Sequence, residues 1–254
     1  MARRTTTKGG TYLYAVTAGA EEKDFGPVGL YESDVHTIND GEVTAVVSEL
    51  PVDGKLRPER RHLAAHQGVL SRLVEESDVV LPVSFGTVAD SAEGIRNMLA
   101  RYKSDLMKQI RRVQGKVEME VRVVFEVPNV FDYFITVHPE LKEMRDRVFD
   151  GKHEPSRDEK IELGQLFERF LDEDRERYAR QVEKAISSRC AEIKQNKCRN
   201  EQEVMRLSCL VAKDEKEEFE AALAEAADMF DDNFTFEHGG PYPPYNFIEI
   251  QIKV

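Results

Sequence analysis

Two histidines, His62 and His66, have a spacing that could bind a metal ion. They lie four residues apart in a segment whose apolar spacing predicts a helix, so both side chains can face one side. A zinc hydrolase would carry a glutamate where Leu63 stands, and no cysteine lies nearby in the sequence. We therefore predict no metal site, and we expect one histidine to be buried or to cap the helix while the other faces solvent.

The other potential nucleophiles lack the neighbours that catalysis needs. Ser84 does not fit a nucleophile elbow, because Pro82 stands where that motif has its first glycine. The three cysteines, Cys190, Cys198 and Cys209, are odd in number and have no paired close spacing, so we expect buried structural thiols. We predict no catalytic residue and no cofactor. A site assembled from residues distant in the sequence stays open.

Composition and charge limit the partners of the chain. Of its 254 residues 41% are hydrophobic, which is enough for a core. No stretch approaches the roughly 20 apolar residues of a membrane span. The net charge is −12, and nine acidic residues with one lysine fall between Asp214 and Asp232. Such a field repels nucleic acid and anionic lipid, so we predict neither a nucleic-acid nor a membrane partner. The acidic segment is either a solvated surface or a face for a basic partner.

The elements that must position these residues alternate between strands and helices. Asn39-Asp40-Gly41 is a strong turn signal, which predicts a hairpin over 35–48. Alternating or β-branched apolar runs predict strands at 11–17, 28–31, 35–38, 43–48, 79–85, 116–127, 204–212, 234–236 and 247–254. Apolar residues at helical spacing predict helices at 59–77, 92–113, 129–150 with a break at Pro139, 159–196 and 213–231.

These elements predict an α+β protein with two domains. We expect a disordered tail at 1–10, a first domain at 11–115, and a second domain at 116–254 with one long helix. Each domain has a strand-and-helix pattern compatible with a ferredoxin-like sheet. Near the end, residues 239–245 hold three prolines and two tyrosines, which predicts a rigid turn. That turn either braces the domain or docks a partner.

Four segments resemble, in order and spacing, the motifs of one protein family. They are Tyr12-Leu-Tyr-Ala-Val16, then His66 followed by Val80-Leu-Pro-Val-Ser-Phe-Gly-Thr-Val88, then Gly115-Lys-Val-Glu118, and finally Gly240-Pro-Tyr-Pro-Pro-Tyr-Asn-Phe247. Together they span roughly residues 11–253, and they resemble the gas vesicle protein F/L family. Tyr242 stands where the family usually has tryptophan, so the subgroup, F-like or L-like, stays open.

The resemblance implies a modified ferredoxin-like first domain and a non-enzymatic role in building gas vesicles, the gas-filled protein shells of buoyant prokaryotes. It implies contacts with the small apolar shell subunit and other accessory proteins, and a location in the cytoplasm and at the gas vesicle. An exposed sheet edge could pair with the shell subunit, and the acidic helix at 214–231 could bind basic residues. On this basis we expect the partner-binding residues to be Tyr12, Tyr14, Phe85, Tyr242 and Tyr245.

Two other functions remain compatible with the sequence. A small-molecule enzyme on a ferredoxin-like scaffold would need a concave pocket with converging polar groups. A scaffold in a signalling assembly would use the long helix as a dimer contact.

Overall fold

Two antiparallel sheets and the helices packed on them form the protein, so the expected α+β class is confirmed. The structure, a computed structural model, describes residues 9–50, 56–151, 154–250 and 252. Residues 1–8 of the expected tail lie outside this description. The chain divides into two compact units, one reaching Glu118 and taking in the segment from Gly240 onward, the other spanning Met119–Gly239. The final segment thus belongs with the first unit, whereas the sequence grouped it with the second.

The first unit is built on a sheet whose central strands are almost fully buried. Its strand order is β2-β3-β4-β1-β5, and β6 also pairs with β1. The strands are β1 (Thr11–Ala18), β2 (Asp24–Gly26), β3 (Val35–Asn39), β4 (Val43–Glu49), β5 (Leu81–Pro82) and β6 (Val88–Ala89).

The predicted hairpin is confirmed as β3 and β4. The two strands pair antiparallel from Val35 opposite Ser48 to Asn39 opposite Thr44. Asp40 closes the turn, since its Oδ1 accepts the Val43 N–H at 3.2 Å, and Gly41 takes the positive φ of 96° that the turn requires.

Two predicted helices pack on this sheet. Helix α1 (Arg60–Glu76) lies against β1, and α2 (Ala92–Val113) lies against β1 and β4. Ser91 caps α2, because its side chain accepts the Gly94 N–H at 3.2 Å.

The strand predicted at 79–85 is wrong in its extent. Only β5 pairs with β1 there, and the chain returns to β1 as β6. Pro82 has no N–H to continue a ladder, and Gly86 turns the backbone with a φ of 90°. The loop between β5 and β6 therefore leaves the sheet, and it carries Phe85.

The segment before β3 also differs from the expectation. Instead of a strand at 28–31, Leu30–Glu32 forms a short 3₁₀ turn, and β2 lies in what was expected to be a loop. The backbone of Tyr31 has a φ of 58°, a left-handed conformation that is uncommon for a large side chain. This turn holds the Tyr31 side chain at the surface.

The second unit has a four-stranded sheet of order β10-β7-β9-β8. Its strands are β7 (Lys116–Phe125), β8 (Glu192–Asn196), β9 (Glu203–Ala212) and β10 (Phe234–Tyr242). Its helices are α3 (Val130–Val137), α4 (Pro139–Val148), α5 (Arg157–Ile186) and α6 (Lys216–Ala227). The break at Pro139 is confirmed.

The predicted helix at 159–196 is wrong at its end. It begins with a capping box of Ser156 and Glu159, but α5 stops at Ile186 and the chain continues as β8. Strand β8 pairs antiparallel with β9, with Ile193 opposite Cys209. The apolar spacing of this segment fits either element, and the backbone partners that β9 supplies decide in favour of a strand.

The last part of the chain was also predicted incorrectly. Strand β10 continues to Tyr242, where a turn was expected. Residues Tyr245–Phe247 form a 3₁₀ turn, and 248–250 are irregular where the closing strand 247–254 was expected. Residues 251, 253 and 254 of that strand lie outside the described residues. Phe247 is fully buried, so the packing of its side chain, and not strand pairing, holds this segment in place.

Candidate functional site

Three fully buried rings form the centre of the first unit. Tyr12 and Tyr14 are two residues apart on β1, so both side chains project from the same face of the strand. Their ring centroids lie 4.7 Å apart, and the buried imidazole of His66, from α1, stacks on Tyr14 at 5.7 Å. Between β1 and α1, the rings of Tyr12, Tyr14 and His66 thus bury polar atoms at a position where a sheet and a helix usually bury aliphatic side chains.

A chain of hydrogen-bonding groups runs from this core to the C-terminal segment. The Tyr12 hydroxyl lies 2.9 Å from His66 Nδ1, and it also accepts the Gly86 N–H at 3.2 Å. On the other side of the imidazole, His66 Nε2 lies 3.3 Å from the Tyr245 hydroxyl. Three segments far apart in the sequence are therefore joined through one histidine.

Tyr14 connects the core to the turn that presents Tyr31. Its hydroxyl accepts the Leu30 N–H at 2.9 Å and lies 2.9 Å from Ser48 Oγ on β4. A Cβ at Gly29 would come within 2.7 Å of that hydroxyl, so only glycine allows the turn to approach so closely.

The ionisable groups of this cluster are uncharged at neutral pH. Burial lowers the pKa of His66 to about 4 and raises the pKa of Tyr245 to about 12. Burial likewise raises the pKa of Tyr12 and of Tyr14. A general acid or base works best with a pKa near the operating pH, which none of these four groups has. Their arrangement suits structural support rather than proton transfer.

Several large apolar side chains around the two histidines keep part of their surface in solvent. Tyr31 is 45% exposed and lies 4.7 Å from the buried His62 ring, and Leu63, next to His62 in the chain, is 40% exposed. Tyr245 is 37% exposed, and half-buried Phe85 lies 5.7 Å from the His66 ring. We call the side chains of Tyr31, Leu63, Phe85 and Tyr245 the α1 patch.

The structure brings together four of the five residues expected to bind partners. Tyr12, Tyr14, Phe85 and Tyr245 surround His66, whereas Tyr242, exposed at the end of β10, has no ring contact or hydrogen bond to them among the described residues. The expectation is corrected for Tyr12 and Tyr14, since a fully buried side chain offers no surface to a partner.

Sequence reasoning missed Tyr31 and Leu63 and was wrong about one histidine. Both His62 and His66 are buried, because the Tyr31 ring covers His62. His62 Nδ1 lies 3.0 Å from the carbonyl oxygen of Arg57. The sequence does not predict the positive φ of Tyr31, and its one hint of a turn here is Gly29, two residues earlier.

A cleft of about 290 Å³ lies at the other end of α1 and does not look like a catalytic pocket. Its charged side chains are already paired: Lys23 with Glu21 at 3.3 Å, and Asp78 with Gln114 at 2.7 Å. Glu76 likewise pairs with Arg72 on its own helix. The polar groups of the cleft hold the fold together rather than converge on a substrate.

Among the described residues, no group of three or more histidine, cysteine or acidic side chains is arranged to hold a metal ion. No described helix has the length and apolar character to cross a membrane. The three cysteines are free, and Cys209 is buried while Cys190 and Cys198 are half-buried.

Known proteins resemble this chain along nearly its whole length. Gas vesicle protein F of Streptomyces sp. (strain CB03234) is 24% identical over 245 residues, covering 94% of this chain and 99% of the relative. Gas vesicle protein F of Dolichospermum flosaquae is 24% identical over 241 residues, covering 94% and 97%.

Two crystal structures share the fold. GvpF from Anabaena sp. PCC7120 superimposes with a TM-score of 0.83 at 23% identity, over 96% of this chain and 99% of that one. GvpF from Microcystis aeruginosa gives 0.80 at 20% identity, over 95% and 99%. The family model described as "Gas vesicle synthesis protein GvpL/GvpF" matches residues 10–249. The chain therefore belongs to the GvpL/GvpF family of gas vesicle synthesis proteins.

Proposed function

We propose that this protein is a non-enzymatic accessory factor of gas vesicle assembly. In this proposal it works in the cytoplasm and at the growing vesicle, where the α1 patch binds the small apolar shell subunit and other accessory proteins. The observation that carries the proposal is that the exposed apolar side chains of the α1 patch contact a buried, hydrogen-bonded cluster around His66. Family membership supplies the gas vesicle context.

The α1 patch has the composition of a binding surface. Two tyrosines, a phenylalanine and a leucine present large apolar areas, and tyrosine is enriched where protein partners bind tightly. An apolar shell subunit must not aggregate before it joins the vesicle shell, and contact with the side chains of the α1 patch would cover its apolar surface until then.

Two side chains of the patch, Tyr31 and Tyr245, are also held in place, which favours binding. The Tyr245 hydroxyl lies 3.3 Å from His66, and His66 is fixed in turn by Tyr12. Tyr31 is held by a backbone conformation that Tyr14 supports through Leu30. Side chains fixed before binding lose less conformational entropy when a partner arrives.

Strand pairing at the sheet edge is a weaker explanation than side-chain contact. The edge strands of the first sheet, β2 and β5, have three and two residues. Such short edges give a partner strand few backbone groups to pair with.

Co-purification tests this proposal. The full chain is co-expressed with the shell subunit of its host, and the retained subunit is measured for wild type and for Leu63→Glu. We expect the variant to retain about tenfold less subunit, because a charge in the apolar contact must be desolvated on binding.

The matched control is Ile161→Glu on α5. Ile161 lies in the second unit and is 45% exposed, similar to the 40% of Leu63, and its replacement by glutamate adds the same charge. Equal retention by Leu63→Glu and wild type, or equal loss in both variants, would contradict the assignment to the α1 patch.

A further inference from the structure

The second unit carries a cluster of aromatic rings that remains half-exposed. Phe230 follows α6, and its ring lies 5.1 Å from Phe234 and 5.1 Å from Phe236 on β10. Tyr178 of α5 lies 4.9 Å from Phe234 and 5.5 Å from Phe230. We call these four rings the β10 aromatic face. Each of the four side chains keeps part of its surface in solvent.

An exposed methionine is the neighbour of this face in the chain. Met229 is 49% exposed and directly precedes Phe230 in the turn that ends α6. Methionine adapts its shape to different partners, and it is common at surfaces that bind varied apolar segments. Met229 and the four rings thus all keep apolar surface in solvent.

Three exposed carboxylates, Asp228, Asp231 and Asp232, lie beside the rings in the sequence. None of the three forms an ion pair with another described residue. The Asp231 carboxylate accepts the Asn233 N–H at 2.9 Å, which is a bond to the backbone and brings no positive charge. Arg177 stacks over the Tyr178 ring at 4.7 Å, but its charge is already paired with Asp174 at 2.7 Å.

We infer that the β10 aromatic face binds a basic segment with one apolar side from another polypeptide. The apolar side of such a segment would cover the rings and Met229, while its lysines or arginines would meet the aspartates. Cationic side chains also stack favourably on aromatic rings. A second copy of this chain is a poor occupant, because two molecules of net charge −12 repel one another.

This inference goes beyond the proposed function. It lies in the second unit and requires neither the α1 patch nor the shell subunit. The two can therefore fail separately, and the following experiment uses no shell subunit.

Fluorescence anisotropy of a labelled peptide tests the inference on the full-length chain. The probe is an amphipathic helix of about 18 residues made of leucine and lysine. A second probe replaces every leucine with serine at the same charge. We expect the leucine probe to bind at least tenfold more tightly than the serine probe.

Two matched pairs of variants locate the binding surface. Asp228→Asn with Asp232→Asn is expected to weaken binding about fivefold to tenfold. Glu217→Gln with Glu220→Gln makes the same change of charge within α6 and is expected to change binding less than twofold. Met229→Ser is expected to weaken binding, whereas Ile161→Ser, the same kind of change at a similarly exposed side chain outside both surfaces, leaves it unchanged. Equal losses in both carboxylate pairs, equal binding of the two probes, or no effect of Met229→Ser would overturn the inference.

Discussion

Replacing Tyr14 with alanine is expected to lower the free energy of unfolding by about 3–5 kcal/mol, because the change opens a cavity at a fully buried site. The ring contacts of Tyr14 with Tyr12 and His66 are lost together. The conservative change Tyr14→Phe keeps the ring and removes only the hydroxyl, so it is expected to cost about 1–3 kcal/mol, since the Leu30 N–H loses its acceptor.

Urea unfolding followed by far-ultraviolet circular dichroism measures these losses. The chain has no tryptophan, so backbone signal is the practical probe. The control is Tyr242→Ala, an exposed tyrosine whose loss is expected to change stability by no more than about 0.5 kcal/mol. Similar losses for Tyr14→Ala and Tyr242→Ala would contradict the role of the buried cluster.

Lowering the pH from 7 to 4 is expected to remove roughly 3 kcal/mol of stability through His66 alone. The folded protein holds this imidazole neutral, with its pKa lowered by burial to about 4, while in the unfolded chain it titrates near its ordinary value of 6.5. Between these two values the unfolded state binds more protons. The stability that the neutral His66 contributes is therefore present above about pH 6.5. It is lost as the pH falls from 6.5 to about 4, and little further change is expected below that.

The comparison with His66→Gln isolates this effect from the many carboxylates of the chain. Glutamine fills part of the site and hydrogen-bonds without titrating. Both proteins are unfolded at a series of pH values, and the difference between their free energies of unfolding is plotted. We expect that difference to shrink as the pH falls from 6.5 to 4. A difference that does not vary with pH would show that His66 does not titrate as its burial requires.

Local signals predicted the parts of the fold that local chemistry determines. Asn39-Asp40-Gly41 predicted the hairpin of β3 and β4 because the turn supplies its own hydrogen bonds and a glycine at positive φ. Apolar residues at helical spacing likewise predicted α2 at 92–113, where the structure has it. By contrast, β8 was missed because its state depends on pairing with β9, a partner that periodicity does not reveal.

The candidate site shows the same division. The sequence pointed to four residues of the cluster: Tyr12, His66, Phe85 and Tyr245. Their contacts in space depend on the long-range fold, which local patterns do not reveal. His66 and Tyr245 lie 179 residues apart in the chain. Exposure was less predictable still, since Tyr14 is buried while Tyr31 reaches the surface through a left-handed turn.

Three of the four sequence segments that resemble the gas vesicle family meet at His66. The opening strand supplies Tyr12, the segment around Gly86 supplies a backbone donor, and the closing segment supplies Tyr245. The spacing of these segments therefore reflects one shared cluster that supports the α1 patch.

Deleting the gene for this chain from its host most directly tests the central claim that the protein serves vesicle assembly by holding another polypeptide on the α1 patch. Flotation and electron microscopy of the cells are the measurements. We predict that the deleted cells form few or no gas vesicles, that the wild-type gene and Ile161→Glu restore them, and that Leu63→Glu does not. Normal flotation of the deleted cells, or full restoration by Leu63→Glu, would contradict this account.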